Sequence, residues 1–269
     1  MVDIAANFSG SMPEYYDRIL GHALFDAYAA DLARRVAVRP PGDVLEVACG
    51  TGIVTRRLRE RLDPAVQLVA TDISKAMLDY ARHKLEEVPG IDWRDADAAA
   101  LPFADARFGA VVCAFGVMFV PDKKAAFREA RRVLREGGRL HFNVWDGFEA
   151  NPQARATNEV IERLFPNDPE IRFRVPIEFN DRAVLGTLLA GARFGHVRME
   201  PVPLEIGCAS ARDFAVGQLK GTPRGALLAK RGVAVDTVID RVAAALAEVG
   251  GAAPFKTIAQ ALVIEAQAV

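Results

Sequence analysis

The stretch VLEVACGTG, residues 44–52, decides how this chain folds. Its first half is an apolar run typical of a buried strand, and its second half places Gly50 and Gly52 within three positions. An acid, Glu46, interrupts the apolar run, and a buried carboxylate needs a partner or a ligand. Glycine weakens a strand unless the backbone must turn or approach another group closely. The stretch therefore predicts a strand that ends in a loop built for close contact.

Segments beyond this stretch alternate between helix and strand. The helical pattern IVTRRLRERL at 53–62 precedes the strand VQLVATD at 66–72, and the alternation continues to residue 146. Continuous apolar strands separated by helices indicate a parallel sheet covered on both faces. Two later strands are expected at 196–206 and 255–266. The sequence predicts an α/β fold with a Rossmann-like, doubly wound, mostly parallel sheet of seven strands.

The two ends of the chain differ from this alternating core. Residues 13–38 carry apolar side chains at helical spacing and predict two amphipathic helices. Helical patterns also fill 151–165, 181–192 and 210–250. We expect one compact domain in three parts. They are N-terminal helices at 1–40 that close over a ligand, a ligand-binding core at 41–146, and last strands with an inserted helical lid at 147–269.

Composition excludes several classes of protein. The chain has 269 residues with 34 Lys and Arg against 35 Asp and Glu, a balance that argues against a nucleic-acid partner. No window of eighteen apolar residues predicts a membrane span, and the start of the chain lacks a signal-peptide pattern. Three widely spaced cysteines and four histidines without ligand spacing predict a reduced, cytoplasmic protein without a metal site.

The spacing of the glycines and of one acid indicates the kind of ligand. In open parallel sheets, ligands bind outside the carboxyl ends of the strands, where the strand order reverses. Asp72 closes the second strand twenty residues after Gly52, where an acid accepts hydrogen bonds from ribose hydroxyls. A dinucleotide site needs G-x-G-x-x-G, whereas Ala48, Gly50 and Gly52 give A-x-G-x-G, with Thr55 three residues on. The spacing favours S-adenosylmethionine, and an NAD(P)-dependent oxidoreductase is the alternative.

A family resemblance across residues 13–146 rests on four motifs in order, which are LEVACGTG, VATDISKAML, DADAAALPFADARFGAVVCAFGV and RVLREGGRLHFNVWD. In these four motifs the chain resembles the class I S-adenosylmethionine-dependent methyltransferases. The resemblance is strongest to the branch that includes the ubiquinone/menaquinone C-methyltransferases. Ala48 departs from the family loop, since it stands in place of the first glycine. The stretch AFGVMFV also lacks the polar residues that follow the aromatic–glycine pair in the quinone enzymes.

The resemblance implies where S-adenosylmethionine would be held. Its methionyl end would lie against Glu46 and the loop Ala48, Gly50, Thr51 and Gly52. Its ribose hydroxyls would bind Asp72, and its adenine would lie between Ile73, Met77, Asp97 and the backbone of Ala98. Its sulfonium would face Ala114 and Phe115, and Tyr16 would close over it.

The resemblance also implies the activity. It is methyl transfer from S-adenosylmethionine, with S-adenosylhomocysteine as product, to the carbon or oxygen of a small, partly apolar acceptor. A sulfonium methyl is already activated, so transfer needs mainly an aligned acceptor about 3 Å away, and a base only if the acceptor must lose a proton. His22 and Asp146 are the candidates for that base. A cofactor-binding protein without transferase activity is a further alternative.

Overall fold

Seven strands form a single sheet, as the sequence predicts. The computed structural model describes residues 12–38 and 42–269. The strands are β1 (Val44–Val47), β2 (Leu68–Asp72), β3 (Ile91–Asp95), β4 (Phe108–Ala114), β5 (Leu134–Trp145), β6 (Phe194–Cys208) and β7 (Phe255–Ala268). They lie in the order β3-β2-β1-β4-β5-β7-β6. The first five strands are parallel, and β7 runs antiparallel to both β5 and β6. The predicted mostly parallel sheet is confirmed.

Helices cover the sheet and extend beyond its carboxyl edge. The N-terminal helix spans residues 12–37 and is called α1. The others are α2 (Ile53–Arg61), α3 (Lys75–Lys84), α4 (Lys123–Val133), α5 (Pro152–Leu164), α6 (Pro169–Arg172), α7 (Val175–Glu178), α8 (Arg182–Gly191), α9 (Ala211–Lys220), α10 (Pro223–Lys230) and α11 (Val235–Gly250). No helix in the described ranges combines the length and apolarity needed to cross a bilayer.

The N-terminal helix is continuous, so the prediction of two separate helices is wrong. Its α-helical ends, Met12–Tyr15 and Asp26–Ala37, are joined by π-helical turns. A side chain at Gly21 would place its Cβ 3.1 Å from Ile53 Cδ1, so this glycine allows close packing on α2. Farther along, the Tyr28 hydroxyl donates to the carbonyl oxygens of Val202 and Ala259. These contacts make α1 part of the core.

Local signals in the sequence explain the boundaries of the elements. The strands β1 and β2 are buried at every position, which accounts for their continuous apolar character. The Ser74 hydroxyl accepts a hydrogen bond from the Met77 N–H and caps α3, as its place before the helix predicts. The Asp122 carboxylate caps α4 in the same way through the Ala125 N–H. The strand order reverses between β1 and β4, which places a crevice at their carboxyl ends.

Candidate functional site

A cavity of about 490 Å³ opens at the carboxyl ends of β1, β2 and β4. Val47, Asp72 and Ala114 bring these strand ends to its wall. The N-terminal helix contributes Tyr16 among others, and the segment 151–224 closes the far side. The volume lies in the range of small-molecule and cofactor sites.

The structure brings most of the sequence-predicted cofactor residues to this cavity. Those that line it are Tyr16, Ala48, Gly50, Asp72, Ile73, Met77, Asp97, Ala98, Ala114 and Phe115. Three others, Glu46, Thr51 and Gly52, are absent from its lining. Residues from five separate segments of the described chain thus meet at one place.

Asp72 organises the glycine loop. Its two carboxylate oxygens accept hydrogen bonds from the Gly50 N–H and the Ser74 N–H, each at 2.8 Å. Burial raises the pKa of Asp72, and the amides of Ser74 and Gly50 oppose that rise. A carboxylate has about four acceptor positions, so each oxygen retains capacity for a ligand hydroxyl.

The two glycines of the loop have different roles. A Cβ built on Gly50 meets no atom within 4 Å, so the loop leaves open space at that wall. A Cβ on Gly52 would lie 3.0 Å from Leu85 Cδ1 and 3.2 Å from Ala81 Cβ. Gly52 adopts φ +76° as the residue before α2, and it packs against the chain around α3. Gly52 thus serves the turn and the packing of the fold, and its contact with a cofactor stays a prediction.

Glu46 lies directly behind the loop. It is 1% exposed, and its Oε2 atom has no hydrogen-bond partner among the described residues. Burial raises the pKa of this carboxyl to about 8. Thr51, within the loop, is buried, and its hydroxyl likewise has no partner among the described residues. These polar atoms adjoin the cavity wall without reaching its lining.

Aromatic side chains form another wall of the cavity, called the aromatic wall. The ring of Phe115 stacks on Trp145 with centroids 4.0 Å apart, and Phe25 packs against both. Phe115 adopts φ +52°, an unusual conformation for a residue with a large side chain. Its N–H is held by the side-chain oxygen of Asn143 at 3.0 Å. Burial, and next Asp72, raises the pKa of the Tyr16 phenol well above its ordinary value, so the phenol stays protonated.

The two catalytic candidates lie outside the cavity lining. His22 is exposed and faces a separate depression beside the end of β6 and the start of β7. Asp146 accepts hydrogen bonds from the Gln260 side chain and the Gly147 N–H, and it lies 3.7 Å from the Arg182 guanidinium. These contacts hold Asp146 at the end of β5. Neither Asp146 nor His22 lines the cavity, and a role as base stays a prediction for both.

Sequence reasoning missed the polar side of the cavity. This side is formed by Asn151, Gln153, Asn158, Gln218, Thr222 and Arg224. The sequence predicted only helices here, although Gln153 and Thr157 stand four residues apart on what becomes a buried face of α5. Uncharged amides at core positions of a helix were the available signal. Within the described residues, no group of three or more potential ligand side chains could hold a metal ion.

The fold and this cavity define an α/β protein with a ligand crevice at the reversal of strand order. Residues 44–138 match the family model for a methyltransferase domain, and the comparisons do not support the oxidoreductase alternative.

Similar proteins agree with this assignment. The chain is 38% identical over 122 residues to the ubiquinone/menaquinone biosynthesis C-methyltransferase UbiE of Hahella chejuensis. The matched segment covers 44% of this chain and 48% of that protein. This chain spans about half the length of the curated relatives it matches. The YcgJ protein of Bacillus subtilis shares the fold, with a TM-score of 0.60 and 16% identity over 90% of this chain and 98% of that one. So does the [4+2]-cyclase SpnF, with a TM-score of 0.57 and 21% identity over 91% of this chain and 81% of that one.

Proposed function

We propose that this protein transfers a methyl group from S-adenosylmethionine to a small, partly apolar acceptor. The observation that carries the proposal is the cavity at the reversal of strand order, bordered by Asp72 and by the open wall at Gly50. S-adenosylmethionine supplies an activated sulfonium methyl group, so the protein must mainly bind, orient and desolvate the reactants.

The residues present suit this cofactor. Asp72 retains acceptor positions for two ribose hydroxyls, and Gly50 leaves space where a side chain would intrude. Glu46 holds an unpartnered carboxyl oxygen behind the same loop, where the ammonium of a methionyl group would compensate it. Ile73 is 49% exposed beside the cavity, an apolar surface fit to cover a base.

The acceptor would lie on the aromatic wall. Phe115, Trp145 and Phe25 form an apolar surface that excludes water from the reacting atoms. The lining from the described chain holds no histidine, lysine or cysteine, and its two acids, Asp72 and Asp97, are the ones proposed to hold the cofactor. We therefore expect an acceptor that reacts as its own nucleophile, positioned rather than deprotonated by the protein.

Closure would complete the site. We propose that α1 and the helices α5 to α10 act as the predicted lid, because residues of both border the cavity opposite the strand ends. Gly217 of α9 packs directly on α1, where its Cβ would lie 2.7 Å from Ile19 Cγ2. The two parts would therefore move together.

Calorimetric titration tests the first half of this proposal. S-adenosylmethionine and S-adenosylhomocysteine should bind at micromolar concentrations, and NAD should not. Binding of NAD in preference to both would overturn the proposal.

A screen of small acceptors with isotope-labelled S-adenosylmethionine tests the second half. Transfer of label is expected to an acceptor whose nucleophilic atom is already deprotonated at the assay pH, such as an acidic phenol or a stabilised enolate. Tight cofactor binding without transfer to any acceptor would instead favour a cofactor-binding protein without transferase activity.

A further inference from the structure

The far side of the cavity differs sharply from its aromatic wall. It is built from amide and hydroxyl side chains and from one arginine, Arg224, in the first turn of α10. Among the described residues that line the cavity, Arg224 is the one cationic side chain. The chemistry around this guanidinium therefore decides what that side of the cavity can hold.

Arg224 is buried without an acid to balance its charge. It is 6% exposed, and it forms no ion pair within the described chain. Two other arginines of the same region are paired, since Arg231 contacts Asp168 and Glu170, and Arg212 contacts Asp240. Burial alone lowers the pKa of Arg224 to about 10, so neither of the acids that line the cavity compensates it.

The hydrogen bonds of Arg224 leave part of the guanidinium unused. Its Nη2 atom donates to the Arg172 carbonyl at 2.6 Å and to the Asn158 side-chain oxygen at 3.1 Å. Its Nε atom is buried and has no partner among the described residues. The Phe173 ring lies 5.6 Å from the guanidinium carbon. All of these partners are neutral, so they fix the orientation of the side chain and leave its charge uncompensated.

The position of Arg224 in its helix adds to this imbalance. The first turn of a helix carries partial positive charge, so a cation there is unfavourably placed and an anion is favoured. Thr222, the residue that precedes α10, also borders the cavity. An anionic group in the cavity would therefore satisfy both the guanidinium and the start of α10.

We propose that the methyl acceptor carries an anionic oxygen group, a carboxylate or a phosphate, that binds Arg224, while its apolar body lies on the aromatic wall. This inference rests on the proposed function, because it names the chemistry of the acceptor at the same site. Arg224 then acts as a specificity-determining residue. The competing interpretation is that Arg224 only ties α10 to α5 and α6 through neutral carbonyls.

Binding of simple amphiphiles separates the two interpretations. The probes are octanoate, octyl phosphate and the neutral octanamide, titrated at pH 7.5 with and without saturating S-adenosylhomocysteine. Trp145 reports on the cavity in a Trp93→Phe protein, since the chain has two tryptophans. At least one anion should bind ten times or more tighter than octanamide, and comparing the two anions tells carboxylate from phosphate. Equal affinities for all three probes would overturn the inference.

Variants then locate the source of the preference. Arg224→Gln should abolish the preference for the anion while octanamide and S-adenosylhomocysteine bind as before, and Arg224→Lys should retain part of it. Arg212→Gln is the matched control, because it removes an exposed lid arginine that already has an acid partner. A preference that survives in Arg224→Gln would overturn the inference. If the glutamine variant does not fold, the wild-type comparison still decides.

The two proposals fail in different ways. If the wild-type protein does not bind S-adenosylhomocysteine, the proposed function is contradicted. If it binds S-adenosylhomocysteine but does not prefer the anions, only this inference is contradicted.

Discussion

Gly50 and Gly232 share a backbone conformation but face different surroundings. Their φ angles are +56° and +68°, and a Cβ on either glycine would meet no atom within 4 Å. Gly50 lines the cavity, whereas Gly232 lies in an exposed turn after α10. Alanine at each position should cost a similar 1–2 kcal/mol or so in unfolding free energy, because both would hold a side chain in the left-handed region.

Only the Gly50→Ala methyl group would occupy ligand space. We expect Gly50→Ala to weaken S-adenosylhomocysteine binding at least tenfold in calorimetry, and Gly232→Ala to leave it unchanged. Equal affinities in the two variants would show that the loop at residue 50 does not approach the ligand.

Ala48 and Gly116 form a complementary pair at the same wall. Ala48 adopts φ +56°, and a Cβ on Gly116 would lie 2.5 Å from the Ala48 Cβ and 3.0 Å from Cys113 Sγ. Gly116→Ala should therefore lower the unfolding free energy by about 2 kcal/mol. Adding Ala48→Gly should restore about 1 kcal/mol of that loss in a double-mutant cycle measured by urea denaturation. Strictly additive effects would contradict the contact.

The Glu46 carboxyl predicts a pH dependence of stability. Its folded pKa of about 8 lies above the ordinary value of 4.5, so the folded state holds a proton that the unfolded chain releases. The resulting stabilisation is complete below pH 4.5 and is lost as the pH rises through 8. Glu46→Gln cannot ionise, so it should gain stability relative to wild type, by about 4 kcal/mol at most, between pH 5 and 8.

Urea denaturation of both ligand-free proteins at several pH values measures this difference. A difference that stays constant from pH 5 to 8 would show that Glu46 is already ionised in the folded protein.

At the scale of elements, Asn151 joins the end of β5 to β7. Its amide nitrogen donates to the carbonyls of Asp146, Gly147 and Gln260 at 2.9 to 3.2 Å. Asn151→Asp replaces this donor with an acceptor inside a fully buried site, so it should cost roughly 3 kcal/mol of unfolding free energy at pH 8. Asn180→Asp, which loses one donation to the Ile177 carbonyl, is the control and should cost about 1 kcal/mol. Similar losses in both would contradict the proposed role of Asn151.

Elements of this protein differ in how far their sequences predict them. The strands β1 and β2 are recognisable because both faces are buried and the apolar run is unbroken. The Ser74 cap is recognisable because its signal lies within four residues. Arg224 and Asn158 meet across 66 residues, and nothing local in either segment specifies that contact. A glycine needed for packing, as Gly52 is here, and one needed beside a ligand look identical in sequence.

At the scale of the whole molecule, α1 and α9 form one unit above the cavity. Gly217 packs on Ile19 and Leu20, and a Cβ on Gly221 would lie 3.1 Å from Tyr16 Cα. Leu20 is 3% exposed, so removing residues 1–20 would damage the core as well as the lid. A truncation therefore cannot separate closure from folding, and residues 1–11 lie outside the described part of the chain. Gly217→Ala is the sharper change, because its Cβ would separate the two helices at their contact.

Hydrogen exchange with and without S-adenosylhomocysteine tests whether this unit closes. Residues 12–25 and 207–235 should gain protection together when the ligand binds, whereas β1, β4 and β5 should change little because the core already protects them. In Gly217→Ala the gain should shrink in both segments at once, since each is held against the other. Protection that rises in one segment alone, or in neither, would mean that the apolar contacts between α1 and α9 are ordinary core packing, and that ligand enters without closure.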